Sequence, residues 1–464
     1  MTIQNQNTKQ STLTEMVMEE IRHRIARRRL TQGARLPSIR QFAETLKVSK
    51  STVVNAYDRL AAEGVIQPRK GSGYYVVGSP TPLILGKVGP RVDREVDPLW
   101  VSKQSLEAGE GVLKPGCGWL PSSWMPQTII RKALRTMART STEALTEYGA
   151  PHGFAPLREH LARKMATLQI PAQMEQVILT GSGTQSIDLL CRFFVESNDT
   201  VLVDDPCYFN FHALLKAHGV NVVGVPYRKN GPDLELFEQA LIEHAPRLYI
   251  TNSAIQNPTG ATLSPVIAHK LLKLAERFNL VIIEDDIFAD FENEPAPRLA
   301  AMDGLNRVVH MGSFSKTLSA SARCGFIAAR ADWIEGLIDL KIATTFGGDP
   351  FSAELTWLVL KDGRYRKHLV DLRARLSEAM GATCSELNKI GIEPWIIPQA
   401  GMYVWGKLPG DIGAAEVARK ALQDKIVLAP GTVFSLSKSG EQYLRFNVAQ
   451  SQDAQIYRTL ERVI

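Results

Sequence analysis

Nowhere does the 464-residue sequence hold an apolar run long enough to span a bilayer. Residues 1–30 also lack the hydrophobic core of a signal peptide. Both absences point away from the membrane and secreted classes. Cysteine is scarce: Cys117, Cys191, Cys207, Cys324 and Cys384 are odd in number, scattered, and fall in no metal-ligand spacing. That predicts reduced thiols in a cytoplasmic protein and no metal centre. Hydrophobic residues at 44% and charged residues at 22% are the proportions of a globular protein. The length is too great for one ordinary domain, so two or three are expected.

What is present is unevenly placed. Residues 1–80 carry thirteen Lys and Arg against six acids, a net of +7, whereas the chain as a whole carries +6. The remaining 384 residues are therefore close to neutral, at −1. A polyanion is the natural partner of the first segment alone.

That segment reads as three helices and a hairpin. Thr12-x-x-Glu15 forms a capping box before a helix with Leu13, Val17, Ile21 and Ile25 on its apolar face. Ser38-x-x-Gln41 opens a second helix, with Ile39, Phe42, Ala43 and Leu46 inward. A turn at Val48-Ser49 leads into a third, with Val53, Ala56, Tyr57 and Leu60 inward and Gly64 as its stop. Val65-Ile66 and Tyr74–Val77 then flank Gln67–Gly73, a hairpin with a basic tip. This is the outline of a winged helix-turn-helix, mainly α, over residues 10–78. The candidate DNA-contacting residues are Arg35, Ser38, Arg40, Ser49, Lys50, Ser51, Thr52, Arg69, Lys70 and Gly71. The segment resembles the GntR-type winged-helix domain through Gly33–Arg40, Val48–Val53, Asn55-Ala-Tyr57, Leu60-x-x-Glu-Gly64 and Gly71–Val76. Some members have an arginine at the position of Val54, so base readout here is expected to lean on Lys50 and Thr52.

Residues 79–110 are rich in Gly, Pro and mixed charge and read as a linker. From residue 111, apolar runs at 177–179, 201–203, 248–250 and 280–283 alternate with helical patterns near 185–196, 207–218 and 264–278. Such alternation predicts a mostly parallel sheet with helices on both faces, and ligands outside the strand carboxyl ends.

Polar clusters fall at that edge. Gly181-Ser182-Gly183-Thr184-Gln185 turns a strand into a helix, an anion cradle of free N–H groups. Tyr208 ends the next strand and can lie flat on a planar ligand. Asn257 precedes Pro258 as a fixed side-chain donor. Glu284-Asp285-Asp286 puts three carboxylates at one edge, which is costly unless a cation meets them. That cation could be a metal, though no His or Cys nearby completes a transition-metal set, or a protonated ring nitrogen. Finally Gly312-Ser313-Phe314-Ser315-Lys316-Thr317-Leu318, closing with Arg323, is a tight loop with one lysine and anion donors. A lysine beside another cation at a cleft has a lowered pKa and can form a Schiff base.

A phosphate cradle, flat aromatic, side-chain donor, buried acid and lysine together suit pyridoxal phosphate. Residues 111–464 resemble the α/β fold-type I aminotransferase domain, which implies a large domain at about 140–340 and a small one at about 341–464. The resemblance implies that Lys316 forms the internal aldimine and that Asp285 pairs with the ring nitrogen. Tyr208 would stack on the ring and Asn257 bond its phenolic oxygen. Gly183, Thr184, Gln185, Ser313 and Arg323 would hold the phosphate, and Tyr148 would reach the phosphate of a partner subunit. Arg445, in Tyr443-Leu-Arg-Phe-Asn447, would pair with a substrate α-carboxylate. One departure lies at Phe288, where many aminotransferases have a tyrosine bonding the cofactor's phenolic oxygen. It suggests a domain tuned to sense an amine rather than turn it over.

A GntR-type reader linked to an aminotransferase-like domain resembles the MocR subfamily of bacterial transcription regulators. Implied are operator DNA, a head-to-tail homodimer, a nucleoid-associated location and an amino-compound effector sensed through an external aldimine. The alternative is an active aminotransferase with an accessory DNA-binding domain.

Overall fold

The computed structural model describes residues 12–26, 30, 33–69, 71–77, 100–139 and 146–464. The chain forms two compact units, residues 1–91 and 92–464.

In the first unit, α1 (Leu13–Ala26), α2 (Ile39–Leu46) and α3 (Lys50–Ala62) precede a hairpin of β1 (Ile66–Arg69) and β2 (Gly73–Val76). The capping box at α1 is present in both directions: the Thr12 N–H donates to Glu15 at 2.9 Å, and the Glu15 N–H to Thr12 Oγ1 at 3.3 Å. The Ser38 and Ser49 hydroxyls cap α2 and α3, and Lys47 turns between them in the left-handed region at φ 54°. All four inward residues of α3 are buried, together with Val17, Ile21, Phe42 and Ala43. Leu13 is 60% exposed, and Met18 fills the core in its place. The Tyr57 hydroxyl donates to the Pro37 carbonyl at 2.9 Å, satisfying its one polar atom.

The second unit begins before residue 111. Trp100–Glu107 is a helix, α4, with Trp100 and Val101 in a core cluster. The expected linker 79–110 is therefore too long at its end, because a Trp-Val pair needs burial that a free linker cannot give. Its remainder at 79–99 lies outside the described residues.

The main sheet has eight strands: β3 (Val177–Thr180), β4 (Thr200–Asp205), β5 (Asn221–Arg228), β6 (Gly231–Pro232), β7 (Leu248–Thr251), β8 (Val281–Asp285), β9 (Val308–Ser313) and β10 (Gly325–Ala328). Their order is β3-β10-β9-β8-β7-β4-β5-β6. The central pairs are parallel, as expected, but β10 runs antiparallel between β3 and β9, and β6 antiparallel to β5. The loop from β9 to β10 is too short for a crossover helix, so the strand must return antiparallel. That return carries Lys316 and Arg323 over the strand ends.

A smaller sheet follows, of β11 (Glu393–Pro394), β12 (Tyr403–Lys407), β13 (Ala429–Pro430) and β14 (Tyr443–Asn447), in order β11-β12-β14-β13. Its core also takes in Trp100, Val101 and Leu120, while Ala353, Leu355 and Val359 pack with the main sheet. The small domain thus draws on the chain before residue 140 and starts later than 341. Among the described residues no helix is long and apolar enough to cross a membrane.

Candidate functional site

On the first unit, Arg35, Ser38, Arg40, Ser49, Lys50, Ser51 and Arg69 reach the surface, and Thr52 is half-buried. Ser38 and Ser49 spend their hydroxyls on the caps. Arg69 lies 4.4 Å over the ring of Tyr75, holding one wing cation flat on the hairpin. Gly71 takes φ +73°, a conformation that favours glycine; Lys70 lies outside the described residues. Replacing Lys50 by alanine is expected to weaken operator binding by about 1–3 kcal/mol. Absorption from the second unit should not change, which gel retardation and spectroscopy on one preparation would check.

In the second unit the polar clusters do converge at the carboxyl edge. Ser182 caps the helix Gly183–Phe194, accepting from the Gln185 N–H at 3.1 Å. The Gln185 side chain folds back onto the Gly181 N–H, so it shapes the cradle from inside. Thr184 is exposed at the first turn. A Cβ at Gly325 would lie 2.7 Å from the Ser182 carbonyl carbon, so only glycine lets β10 pass this close to the cradle. Ser313 accepts from the Ser315 N–H at 3.3 Å and donates to the Cys324 carbonyl at 3.1 Å. Arg323 is exposed, held at φ +43° at the foot of β10. A cavity of about 630 Å³ runs along Gly181, Gln185 and Arg323 as far as Gly149 and Pro350.

The three acids separate into roles. Glu284 accepts from the backbone of Leu299 and Ala300 at 2.7 and 3.0 Å and from the Ser253 hydroxyl at 2.5 Å. Asp286 is held by both ends of the Arg298 guanidinium at 3.0 and 3.1 Å. Asp285 forms no salt bridge among the described residues; its carboxylate accepts from the Ile287 N–H at 3.2 Å. Burial pushes its carboxyl up to about 6. A cation arriving opposite Asp285 would reverse that shift.

Lys316 is half-buried, and its amine donates to the Gly118 carbonyl at 2.5 Å. Burial, and then the neighbouring Arg445, lower it to about 8. Arg445 is 1% exposed. It donates to Asn257 Oδ1 at 3.0 Å and to the Gly116 carbonyl at 2.8 Å, and its Nε finds no partner among the described residues. Its guanidinium lies 4.2 Å over the Tyr403 ring and 4.7 Å over Phe434. Among the described residues no carboxylate pairs with it. Asn257 is found on Arg445 through its oxygen, leaving its amide nitrogen for a ligand. Tyr208 is half-buried, edge-to-face on Phe211 at 5.4 Å. Tyr148 is 80% exposed, its ring against Phe346 at 4.9 Å.

The sequence reading missed the segment Gly116–Trp119. Its four carbonyls accept, in order, from Arg445, Asn447, Lys316 and Asn447. Only its Gly-Cys-Gly turn before a tryptophan could have hinted at this, because all the donors come from far along the chain.

An anion cradle, an unpaired buried acid, a lysine of lowered pKa and an unpaired buried arginine at one sheet edge fit pyridoxal phosphate chemically. The fold and cleft define the class: an aminotransferase-type domain following a winged helix-turn-helix. Residues 120–463 match the model of the family "Aminotransferase class I and II", and the chain belongs to that family. Residues 13–76 match "Bacterial regulatory proteins, gntR family". The combination is the MocR-type architecture.

Similar whole-length proteins include the HTH-type transcriptional regulator NorG of Staphylococcus aureus (strain USA300), 27% identical over 92% of this chain and 98% of NorG. The HTH-type transcriptional regulator YdfD of Bacillus subtilis (strain 168) is 26% identical over 91% of this chain and 90% of YdfD. Among solved structures, LysN of Thermus thermophilus is an α-aminoadipate aminotransferase complexed with N-(5'-phosphopyridoxyl)-L-leucine. It is 26% identical, with a TM-score of 0.71 over 78% of this chain and 94% of LysN. The kynurenine aminotransferase of Pyrococcus horikoshii, 22% identical with a TM-score of 0.72 over 80% and 94%, shares the fold.

Proposed function

We propose that the chain is a cytoplasmic, DNA-binding transcription regulator whose second unit carries pyridoxal phosphate on Lys316 and senses an amine bearing a carboxylate. One observation carries the effector class: Arg445 is a buried guanidinium beside Lys316, with no counter-charge among the described residues. A buried cation is costly unless an anion meets it, and a planar carboxylate fits the guanidinium fork. Asp285 would face the cofactor's ring nitrogen. The cradle at Gly183, Thr184 and Gln185, with Ser313 and Arg323, would hold the phosphate, and Tyr208 would lie against the ring. When bound, the cofactor supplies an electrophilic carbon at which an incoming amine can displace Lys316. The names of NorG and YdfD support the regulatory reading.

The effector must bind one arrangement of the protein better than another, or it shifts nothing. A second copy, head-to-tail, is part of the reading. The exposed Tyr148–Phe346 pair and the cavity beside Gly149 are the surface such a copy would cover.

The test pairs gel retardation on the upstream region of the gene with a turnover assay on amino donors and keto acceptors. Salt-sensitive, site-specific retention that changes with a carboxylated amine, with negligible turnover, supports a regulator. Turnover at ordinary aminotransferase rates without retention marks a working aminotransferase instead.

The lowered pKa of Lys316 gives a pH prediction. Only the neutral amine attacks an aldehyde, and its fraction passes one half at about 8. Uptake of pyridoxal phosphate by the apo protein should therefore accelerate from pH 7 and level off above roughly pH 9. A lysine at its ordinary pKa of 10.5 would still be accelerating beyond about pH 10; stopped-flow absorbance separates the two.

A further inference from the structure

Position 288 places a bare ring in the site. Phe288 is 3% exposed, stacks on Phe291 at 6.1 Å and meets the Tyr403 ring edge-to-face at 5.7 Å. Tyr403 belongs to β12 of the small sheet, opposite Asn447 of β14, while Trp405 stands opposite Arg445. In an antiparallel ladder, paired residues share a face, so Tyr403, Arg445 and Asn447 all point to the side where the Gly116–Trp119 segment and Lys316 lie.

The Tyr403 hydroxyl is out of keeping with a packing role. The residue is 3% exposed, but its hydroxyl, which bonds no group among the described residues, is not sealed in the core as the Tyr227 hydroxyl is. It is open to the cleft and free for a ligand. The hydroxyl lies in the same corner of the cleft as the lysine amine: a Cβ built on Gly118 would sit 3.6 Å from Tyr403 Oη and 3.8 Å from Lys316 Nζ. Phenol and amine thus flank one point in the cleft, the point where Lys316 reaches the Gly118 carbonyl.

We propose that Tyr403 supplies the phenol hydroxyl at the lysine end of the cofactor site, acting from the small sheet in place of the hydroxyl that Phe288 lacks. The inference rests on the pyridoxal phosphate reading above. Its physical content is one donated hydrogen bond. Burial raises the phenol pKa, so the proton stays on Tyr403 at neutral pH. The neighbouring groups are Arg445, Tyr208 and Cys117 around the phenol, with Asp285 and Arg323 also facing the lysine. A neutral donor stabilises the deprotonated, negatively charged phenolic oxygen of the bound cofactor and so lowers the pH at which its visible spectrum changes.

The experiment is a spectral pH titration of full-length protein loaded with pyridoxal phosphate. Tyr403→Phe keeps the ring against Phe288 and beneath Arg445 and removes only the hydroxyl. Its midpoint should lie about one to two pH units above the wild-type value, the size of one hydrogen bond to a charged group. The double variant Tyr403→Phe/Phe288→Tyr, with a phenol returned from the other side, should move the midpoint back down. If Tyr403→Phe fails to take up colour, recovery in the double variant supports the proposal, and a colourless double variant overturns it. A Tyr403→Phe midpoint within roughly 0.3 unit of wild type also overturns it, since a packing role predicts no shift. Failure of the underlying reading is distinguishable: the wild-type protein itself would then stay colourless.

Discussion

Replacing Lys316 by alanine is expected to abolish the visible absorption of protein incubated with pyridoxal phosphate, while the apo protein stays folded and binds DNA. The amine makes one hydrogen bond, to Gly118, in a cleft where it is half-buried and of lowered pKa. Removing it leaves one carbonyl without a donor and relieves a crowded cation beside Arg445. The stability change should therefore stay within about 1–2 kcal/mol, the ordinary range for a substitution outside a packed core. The first unit has its own core around Val53, Tyr57 and Leu60 and owes nothing to this lysine. Absorption spectra and gel retardation on one preparation check both halves. A Lys316→Ala protein as yellow as wild type would mean that another amine carries the cofactor.

The second large effect is on stability. Arg298 is 2% exposed and its guanidinium answers two buried carboxylates, Asp286 at 3.0 and 3.1 Å and Glu292 at 3.0 Å. Removing one partner of a buried ion pair strands the other, and here it strands two. Arg298→Ala is expected to cost about 3–5 kcal/mol or more, far above a typical surface substitution. The pH dependence follows from the sign. Burial already holds the Glu292 carboxyl above its ordinary pKa, and without the opposing arginine that rise over the unfolded value grows. The loss is then largest at about pH 7 and shrinks as pH falls towards about 4 and the carboxyls take up protons. Denaturant titration at two pH values measures this. Asp285 lies directly between Glu284 and Asp286, so loosening this clamp should also weaken cofactor retention.

What the sequence made legible was written in neighbouring residues. Ser38 and Ser49 cap helices that start one residue later, and Val53, Ala56, Tyr57 and Leu60 are buried at helical spacing. The turn at Gly181–Gln185, the acids at 284–286 and the loop around Lys316 announce strand ends by themselves. Pairings across long sequence separations were hidden. That Arg298 and not a ligand meets Asp286, that Arg445 sits on Asn257, and that Gly118 receives Lys316 are facts of tertiary packing. Strand direction was hidden as well, since an apolar run reads the same either way, and the antiparallel β10 places Arg323 beside the cradle. Trp100 and Val101 were lost in a stretch whose glycines and prolines suggested only a tether.

The most direct measurement is borohydride reduction of the loaded protein, followed by proteolysis and mass spectrometry of the peptides. A single phosphopyridoxyl adduct on Lys316, lost when a carboxylated amine is added before reduction, is the predicted result. No adduct, or an adduct confined to other lysines, would contradict the account.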